Sequence, residues 1–277
     1  MSKPTPRHTT LPVALTIAGS DSSGGAGIQA DLKTFTAQGV YGASVLTALT
    51  AQNTTGVAAV HQVPADFVSA QMAAVGSDLQ VRATKTGMLF DASCINAIAD
   101  TLEAYSFGPV IVDPVMIATS GDQLLADDAV DAMKSKMFPH AELITPNLAE
   151  AARLLDGPKA DSVEAMIEQA TALFKLGCQA VLVKGGHSHL SQAVDVLFDG
   201  VEISTFAKPR IDTRNKHGTG CTLSAAIAAN RAKGLALHDA IDGAKTYVWE
   251  ALVAAKDVVF GKGQGPLDHV YKIKGGH

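Results

Sequence analysis

The segment 217–227 combines a short glycine-rich turn, Gly218, Thr219, Gly220 and Cys221, with the alanine-rich start of a predicted helix. Such a turn can direct unpaired backbone N–H groups and the positive end of the helix dipole toward an anion. Glycine also permits the close backbone approach that a phosphate requires. The turn is therefore a candidate phosphate site, although a glycine-containing helix start without a ligand has the same pattern.

Two common nucleotide-binding motifs are absent from the sequence. The dinucleotide pattern Gly-x-Gly-x-x-Gly would need glycine at position 223, which is Leu223, and the turn lies late in the chain. The Walker pattern ending in Gly-Lys-Ser/Thr does not occur. The sequence thus excludes a P-loop enzyme and removes the main support for a hydride-transfer enzyme.

Cys221 lies where a helix dipole lowers the pKa of a thiol and favours the thiolate. It is a candidate base beside an acceptor hydroxyl, and the alternative is a small buried apolar side chain. Cys94 and Cys178 lie inside helical patterns and are expected in the core. Three widely spaced cysteines fit neither a disulfide framework nor a paired-cysteine zinc site, so we expect a reducing cytoplasm.

A second glycine-rich run, residues 19–27, follows the first predicted strand. Its backbone could wrap a ligand, and the alternative is a flexible surface turn. Among the histidines, His187 and His189 resemble a metal pair but are more typical of a loop, because no third ligand lies near them in sequence. His217 could bind phosphate or orient the glycine turn.

Polar or charged residues close three further predicted strands, at 113–114, 145–147 and 184–186, and Glu150 follows shortly after the second of them. Asp113 and Glu150 offer the oxygen ligands that Mg²⁺ prefers, usually through water. Lys184 could neutralise a phosphate charge. Each is, by itself, a residue type usually found solvated at the surface, so the prediction depends on their convergence at one edge of the sheet.

The elements that must position these residues alternate between strand and helix. Strands are predicted at 13–18, 44–51, 84–87, 110–113, 143–145, 180–183 and 195–198, and helices at 28–37, 65–75, 93–104, 149–155, 163–176 and 237–258. This alternation predicts a mostly parallel sheet with helices on both faces, with ligands at the carboxyl ends of the strands.

No linker divides the 277 residues, which predicts one domain over 1–277 with a polar leader at 1–11 and a surface loop at 261–266. The net charge of −5 and the scattered basic residues argue against a nucleic-acid surface. No uninterrupted apolar run of membrane-spanning length occurs, so no membrane partner is expected.

Six stretches in order, 16–34, 48–54, 85–89, 112–116, 143–151 and 217–225, closely resemble the hydroxymethylpyrimidine/phosphomethylpyrimidine kinases of thiamine biosynthesis. The resemblance covers nearly the whole chain from Leu15 to about Pro266 and places it in the ribokinase-like superfamily. It implies a three-layer α/β sandwich with a mostly parallel central sheet. It also implies ATP-dependent phosphorylation of 4-amino-5-hydroxymethyl-2-methylpyrimidine and then of its monophosphate.

The resemblance also implies where the pyrimidine binds. The ring is expected between the loop around Gly19 and the residues Asp31, Gln52 and Met88. A side-chain amide such as that of Gln52 can pair with the amino group and a nitrogen of the ring.

ATP is implied across the other half of the cleft, near Asn147, Lys184 and Lys245. Mg²⁺ would bridge its phosphates close to Asp113 and Glu150. The backbone N–H groups of the glycine turn are then expected to hold the migrating phosphoryl group while Cys221 accepts the proton.

One departure concerns the base. Most ribokinase-like sugar kinases carry an aspartate at the end of the glycine turn, whereas this chain, like the pyrimidine kinases, has Cys221. The nearest alternative substrate is pyridoxal or pyridoxine, which also presents a hydroxymethyl group on a nitrogen ring, although Gln52 and Met88 favour the aminopyrimidine. A non-catalytic pyrimidine-sensing protein is the alternative from another class. Relatives are commonly dimers, so a homodimer is expected.

Overall fold

A computed structural model describes residues 11–116, 128–186 and 192–274. His187 and His189 lie outside the described residues, as does the predicted leader apart from Leu11.

A central sheet of eight strands runs through the molecule. In chain order its strands are β1 Val13–Ala18, β2 Tyr41–Leu46, β5 Val81–Thr86, β6 Val110–Val112, β7 Ala141–Ile144, β8 Val181–Lys184, β9 Gln192–Phe198 and β10 Ile203–Pro209, and a separate two-stranded sheet holds β3 Ala48–Asn53 and β4 Gly56–Gln62. The spatial order is β10-β9-β8-β7-β6-β5-β1-β2. Strands from β2 across to β8 are parallel, and β9 is antiparallel to both of its neighbours. The predicted mostly parallel sheet is confirmed.

Nine α-helices lie in the described part of the chain. They are α1 Gly27–Ala37, α2 Ala65–Gly76, α3 Ala92–Ala104, α4 Ala129–Ala132, α5 Leu148–Leu154, α6 Val163–Phe174, α7 Thr219–Ala232, α8 Leu237–Ala255 and α9 Tyr271–Lys274. A π-helical turn at Met133–Met137 and a 3-10 turn at Phe138–His140 follow α4.

Alternating strand residues feed two hydrophobic cores, one on each face of the sheet. In β1, Leu15 belongs to the core covered by α2, α3, α5 and α6, whereas its neighbour Ala14 belongs to the core covered by α1, α7 and α8. Val112 and Ile111 divide in the same way in β6. Because side chains alternate between the faces of a strand, the sheet needs helices on both sides. The three-layer α/β sandwich is confirmed.

Helix α7 carries the glycine turn at its start and is buried over most of its length. Its interior alanines, from Ala225 to Ala229, are completely inaccessible to solvent. Small side chains allow this helix to lie close to the sheet, and a helix that is apolar on all sides is typical of a core position. The alanine-rich pattern thus allows α7, and the glycine turn at its start, to lie inside the molecule close to the sheet.

One strand prediction is wrong. The segment 44–51 was expected to form a single strand, but the chain divides at Thr47 into β2 of the main sheet and β3 of the small sheet. Thr47 is buried, and it donates its N–H to Ala18 O at 3.1 Å and its hydroxyl to Met88 O at 2.6 Å. These bonds redirect the chain out of the sheet, so that β3 pairs with β4 instead, a strand that the sequence pattern did not reveal.

The predicted loop at 261–266 has little regular structure, but it makes specific contacts. Gly263 donates its N–H to Thr54 Oγ1 and Gln264 donates to Thr54 O, at 3.1 and 3.0 Å. His217 N–H donates to Gly265 O at 3.1 Å. The loop therefore joins the turn of the β3–β4 hairpin to the glycine turn. None of the helices in the described part of the chain has the length and hydrophobicity of a membrane-spanning segment.

Candidate active site

A cavity of about 490 Å³ lies at the carboxyl ends of the parallel strands. Twelve of the predicted site residues line it: Gly19, Gln52, Met88, Asp113, Asn147, Glu150, Lys184, Gly218, Thr219, Gly220, Cys221 and Lys245. Asp31 is not among the lining residues. The carboxyl ends of parallel strands lie at one edge of the sheet, so the fold brings together side chains that are more than 200 positions apart in sequence.

The glycine turn begins α7. Gly218 is the residue before the first helical position, with φ of 77°, and no side chain caps the helix there. A Cβ at Gly218 would lie 1.9 Å from Gly25 O, so both the left-handed backbone and the close approach require glycine. The uncapped start leaves the N-terminal end of α7 directed into the cavity without a side chain to occupy it.

Lys184 and Asp113 form an ion pair beside this turn. Lys184 Nζ lies 2.7 Å from Asp113 Oδ1, and both side chains are largely buried. Ser224 of α7 donates its hydroxyl to the second oxygen, Oδ2, at 3.2 Å. Burial lowers the pKa of Lys184, but the carboxylates of Asp113 and Glu150 outweigh it, so the pKa is raised and the ammonium stays charged.

A hydrogen-bonded capping box starts α5. Asn147 Oδ1 accepts the N–H groups of Ala149 and Glu150 at 2.8 and 3.0 Å, and Glu150 Oε2 accepts the N–H of Asn147 at 2.7 Å. Burial raises the pKa of Glu150 to about 7, against the opposing effect of Lys184 and with a further increase from Asp113. The capping arrangement fixes the direction of both side chains at the cavity.

The carboxylates of Asp113 and Glu150 interact electrostatically, which fits a shared cation between or beside them. The described residues contain no cluster of three or more His, Cys, Asp or Glu side chains that could enclose a metal ion. A site with two carboxylates suits Mg²⁺, which usually keeps several waters and takes the rest of its ligands from substrate phosphates.

Cys221 lies in the first turn of α7 and is half-buried. Burial raises its pKa above the ordinary value; Lys85 and the N–H of Gly27 lower it, and Asp31 and Asp113 raise it further. The prediction of a lowered thiol pKa is therefore wrong, because burial and the carboxylates outweigh the favourable helix position. The resting side chain is a thiol at neutral pH.

Asp31, predicted to contact the pyrimidine, is fully buried beneath the cavity. Its Oδ2 accepts from Lys85 Nζ at 2.8 Å and from Thr16 Oγ1 at 2.6 Å. Burial lowers the pKa of Lys85, but the carboxylates of Asp31 and Asp113 outweigh it, so Lys85 stays protonated. Lys85 does line the cavity, so Asp31 reaches the site through this lysine. In the sequence, the feature that could have indicated this arrangement is the position of Lys85 within a predicted strand.

The side of the cavity predicted to hold the acceptor combines Gly19, Gln52 and Met88. A Cβ at Gly19 would lie 2.3 Å from Met88 Cε, so glycine at this position leaves room for the Met88 side chain. Gln52 donates its backbone N–H to Ser22 Oγ at 2.8 Å, and Ser22 Oγ donates to Gln52 O at 2.7 Å. These bonds fasten strand β3 to the loop that follows β1.

Asp21 organises that loop and was not singled out from the sequence. Burial by itself would raise its pKa, but hydrogen bonds from His217 and Ser23 outweigh it and lower the pKa to about 2. His217 Nε2 lies 2.8 Å from Asp21 Oδ2. Of the two roles considered for His217, the structure favours orientation of the turn.

The opposite end of the cavity is partly apolar. Lys245 Nζ lies 2.5 Å from Asp195 Oδ2, so the charge of this lysine is balanced by a carboxylate. Beyond it, Val248, Trp249 and Leu252 of α8 line the wall. A cationic and polar centre beside an apolar end suits a nucleotide, whose base is flat and apolar and whose phosphates are charged.

Comparison with known proteins identifies the family. The sequence model of a family described as phosphomethylpyrimidine kinase matches residues 21–268. A hydroxymethylpyrimidine/phosphomethylpyrimidine kinase of Rhizobium meliloti is 54% identical over 260 residues, which cover 94% of this chain and 97% of that protein. The chain belongs to the phosphomethylpyrimidine kinase family.

This phosphomethylpyrimidine kinase family member also resembles two solved structures. A phosphomethylpyrimidine kinase from Clostridium difficile is 41% identical, with a TM-score of 0.77, and the match covers 87% of this chain and 99% of that one. A Bacillus subtilis pyridoxal kinase, solved as an ADP complex, is 38% identical, with a TM-score of 0.86, covering 94% and 98%. The resemblance drawn from the six sequence stretches, the ribokinase-like fold and the kinase activity are confirmed.

Proposed function

We propose that this kinase transfers the γ-phosphoryl group of ATP to 4-amino-5-hydroxymethyl-2-methylpyrimidine and then to the resulting monophosphate. The observation that carries this proposal is the uncapped start of α7 beside Lys184, in a cavity whose other side presents Gln52 and Met88. Membership of the family supports the choice of pyrimidine. A relative from Geobacter sulfurreducens named thiamine biosynthesis bifunctional protein supports the place in thiamine biosynthesis.

The pyrimidine occupies the side formed by Gly19, Gln52 and Met88. The Gln52 amide can accept from the ring's amino group and donate to a ring nitrogen. Met88 supplies a flexible, polarizable surface for the aromatic face. Asp31 fixes Lys85 at the floor of this half of the cavity and does not touch the ring.

The phosphates lie between the start of α7 and Lys184. Backbone N–H groups of Gly218 to Cys221 stabilise the charge that develops on the transferred phosphoryl oxygens. Asn147, Lys184 and Lys245 hold ATP, and Asp113 and Glu150 are the residues that would hold Mg²⁺ through water. When bound, Mg²⁺ supplies neutralisation of phosphate charge.

Cys221 accepts the acceptor's proton. Its raised pKa means that the resting thiol must first release its own proton to solvent in the cavity, with Lys85 as the nearby cation that favours the thiolate. The thiolate then takes the proton of the acceptor hydroxyl. Phosphoryl transfer through a loose transition state needs little proton removal at the start, so positioning and charge neutralisation dominate over base strength.

The second candidate substrate is pyridoxal. The high TM-score with the Bacillus subtilis pyridoxal kinase favours it. The ratio of kcat/KM for the two alcohols decides between them, and we expect the aminopyrimidine to be preferred because Gln52 lines the acceptor side.

The direct test incubates the purified protein with Mg²⁺-ATP and each alcohol and identifies the products by mass. We expect mono- and diphosphorylated pyrimidine. Tight pyrimidine binding by calorimetry without ADP release would instead support a sensor.

We further infer a homodimer, tested by light scattering, and a cytoplasmic location, where the three free cysteines stay reduced.

A further inference from the structure

A buried hydrogen bond joins the loop after β1 to the glycine turn. His217 Nε2 lies 2.8 Å from Asp21 Oδ2, and both side chains are more than 90% buried. An ionised carboxylate only accepts hydrogen bonds, so Nε2 must carry the proton and donate it to Asp21. The bond therefore fixes the tautomer and the orientation of the imidazole.

Asp21 also determines the path of its own loop. Its Oδ1 accepts the N–H and the hydroxyl of Ser23 at 2.9 and 2.7 Å, and its Oδ2 accepts the N–H groups of Gly25 and Ala26 at 3.1 and 2.8 Å. Four donors of one loop thus converge on a single carboxylate. His217 is the partner that this carboxylate takes from a distant part of the chain.

The two segments are also packed against each other without space between them. A Cβ at Gly25 would lie 2.5 Å from His217 Cδ2, and a Cβ at Gly218 would lie 1.9 Å from Gly25 O. On its far side, His217 is held by the bond from its N–H to Gly265 O. A movement of the imidazole would therefore displace both the loop and the turn.

We propose that Asp21 and His217 are positioning residues that hold the acceptor-binding loop and the phosphate-binding turn at a fixed separation. This inference rests on the proposed function, because that function assigns the acceptor to one segment and the transferred phosphoryl group to the other. Transfer requires the attacking oxygen and the phosphorus to be held at near-contact distance, and a misplacement of about 1 Å can lower the rate about a hundredfold.

The test compares two substitutions of His217. Phenylalanine keeps a flat aromatic side chain, one ring atom larger than imidazole, and removes the bond, whereas glutamine keeps an N–H donor that can reach Asp21. For His217→Phe we expect kcat to fall about tenfold to a hundredfold, with KM for ATP changed by less than about twofold. His217→Gln should recover most of kcat. Combining His217→Phe with Asp21→Asn should cost no more than the worse single substitution, because both break the same bond.

A second readout needs no turnover and so separates this proposal from the proposed function. In His217→Phe, amide hydrogen exchange should accelerate in the loop 21–26, almost 200 positions away in sequence. The control is His238→Phe, because His238 and Asp239 form an exposed pair at 4.0 Å on the surface. It should leave both kcat and exchange in the loop unchanged.

Unchanged kcat in a folded His217→Phe, or a loss that glutamine does not reduce, overturns the proposal, and so does unchanged exchange in the loop. If the phenylalanine variant does not fold, His217→Asn replaces it, since asparagine is too short to reach Asp21 and should lose kcat in the same way. Absence of pyrimidine phosphorylation by the wild-type protein would contradict the proposed function instead, while the exchange experiment still tests the bond.

Discussion

Lys184 Nζ donates to Asp113 Oδ1 at 2.7 Å, across the ends of strands β8 and β6. The pair lies directly against the glycine turn, because a Cβ at Gly220 would be 3.3 Å from Lys184 Nζ. A cation, a carboxylate and the start of a helix therefore meet at one point of the cavity.

Lys184→Met should lower kcat by about a hundredfold or more, because it removes the charge proposed to face the transferred phosphoryl group and leaves two carboxylates without their cation. Steady-state kinetics with both pyrimidine and ATP at saturation measures the effect. Lys175→Met, at an exposed lysine after α6, is the matched control and should be neutral. A kcat for Lys184→Met close to that of the control would remove this lysine from the mechanism.

Gly220→Val should abolish turnover while ATP analogues still bind. The added side chain would point at the Lys184 ammonium and the Asp113 carboxylate, which lie 3.3 and 3.8 Å from the Cβ position. Calorimetry with a non-hydrolysable analogue, or quenching of the single tryptophan, Trp249, reports binding. Gly157→Ala, whose Cβ would meet nothing closer than 3.8 Å, is the control. An unchanged kcat for Gly220→Val would exclude the turn from catalysis.

Gly19→Ala should raise KM for the pyrimidine with little effect on KM for ATP. Its Cβ would lie 2.3 Å from Met88 Cε, the end of a flexible side chain, so the methionine is displaced into the acceptor side while the fold is kept. Adding Met88→Ala should restore space and remove part of the increase. Kinetics of the two single variants and the double variant measure this coupling, and simple additivity would show that the two residues do not share the site.

Cys221→Ala should lower kcat strongly at nearly constant KM, because the role proposed for the thiol is in the transfer step and not in binding. A rise in KM alone would mark Cys221 as a packing residue. Since burial raises its pKa, alkylation by iodoacetamide should still be accelerating at pH 9. The Cys221→Ala protein is the blank, because burial raises the pKa of Cys94 to about 12 and that of Cys178 to about 11.

Asp21→Asn should destabilise the protein at neutral pH and much less in acid. The Asp21 pKa is about 2 in the folded protein against 3.8 ordinarily, so its contribution is present above pH 3.8 and is lost as the pH falls toward 2. The contribution is about 2 kcal/mol, because each pKa unit corresponds to about 1.4 kcal/mol. Urea unfolding of the wild type and variant between pH 2 and 7 measures it. Asp242→Asn, on the exposed side of α8, is the control; an equal loss for Asp21→Asn at every pH would contradict the assignment.

The sequence determined the α/β class, the layer arrangement and most of the site. Apolar strands ending in Gly, Asp, Asn or Lys specify a parallel sheet, and such a sheet must gather its carboxyl ends at one edge. Gly218 to Cys221, Asp113, Asn147, Glu150 and Lys184 could therefore be assigned to one cavity before their distances were known. Local pattern was sufficient here because each residue is fixed by the strand or helix that it ends or begins.

Only the tertiary structure decided the features that depend on contacts between residues distant in sequence. The division of 44–51 into β2 and β3 follows from hydrogen bonds of Thr47 to Ala18 and Met88, which no local pattern encodes. Asp31 binds Lys85 rather than lining the cavity, because the fold places this residue of α1 within 2.8 Å of the lysine of β5. The pKa of Cys221 is raised rather than lowered as expected, and this too depends on residues distant in sequence. Helix position is a local property, whereas desolvation and neighbouring carboxylates exist only once the chain has folded around the thiol.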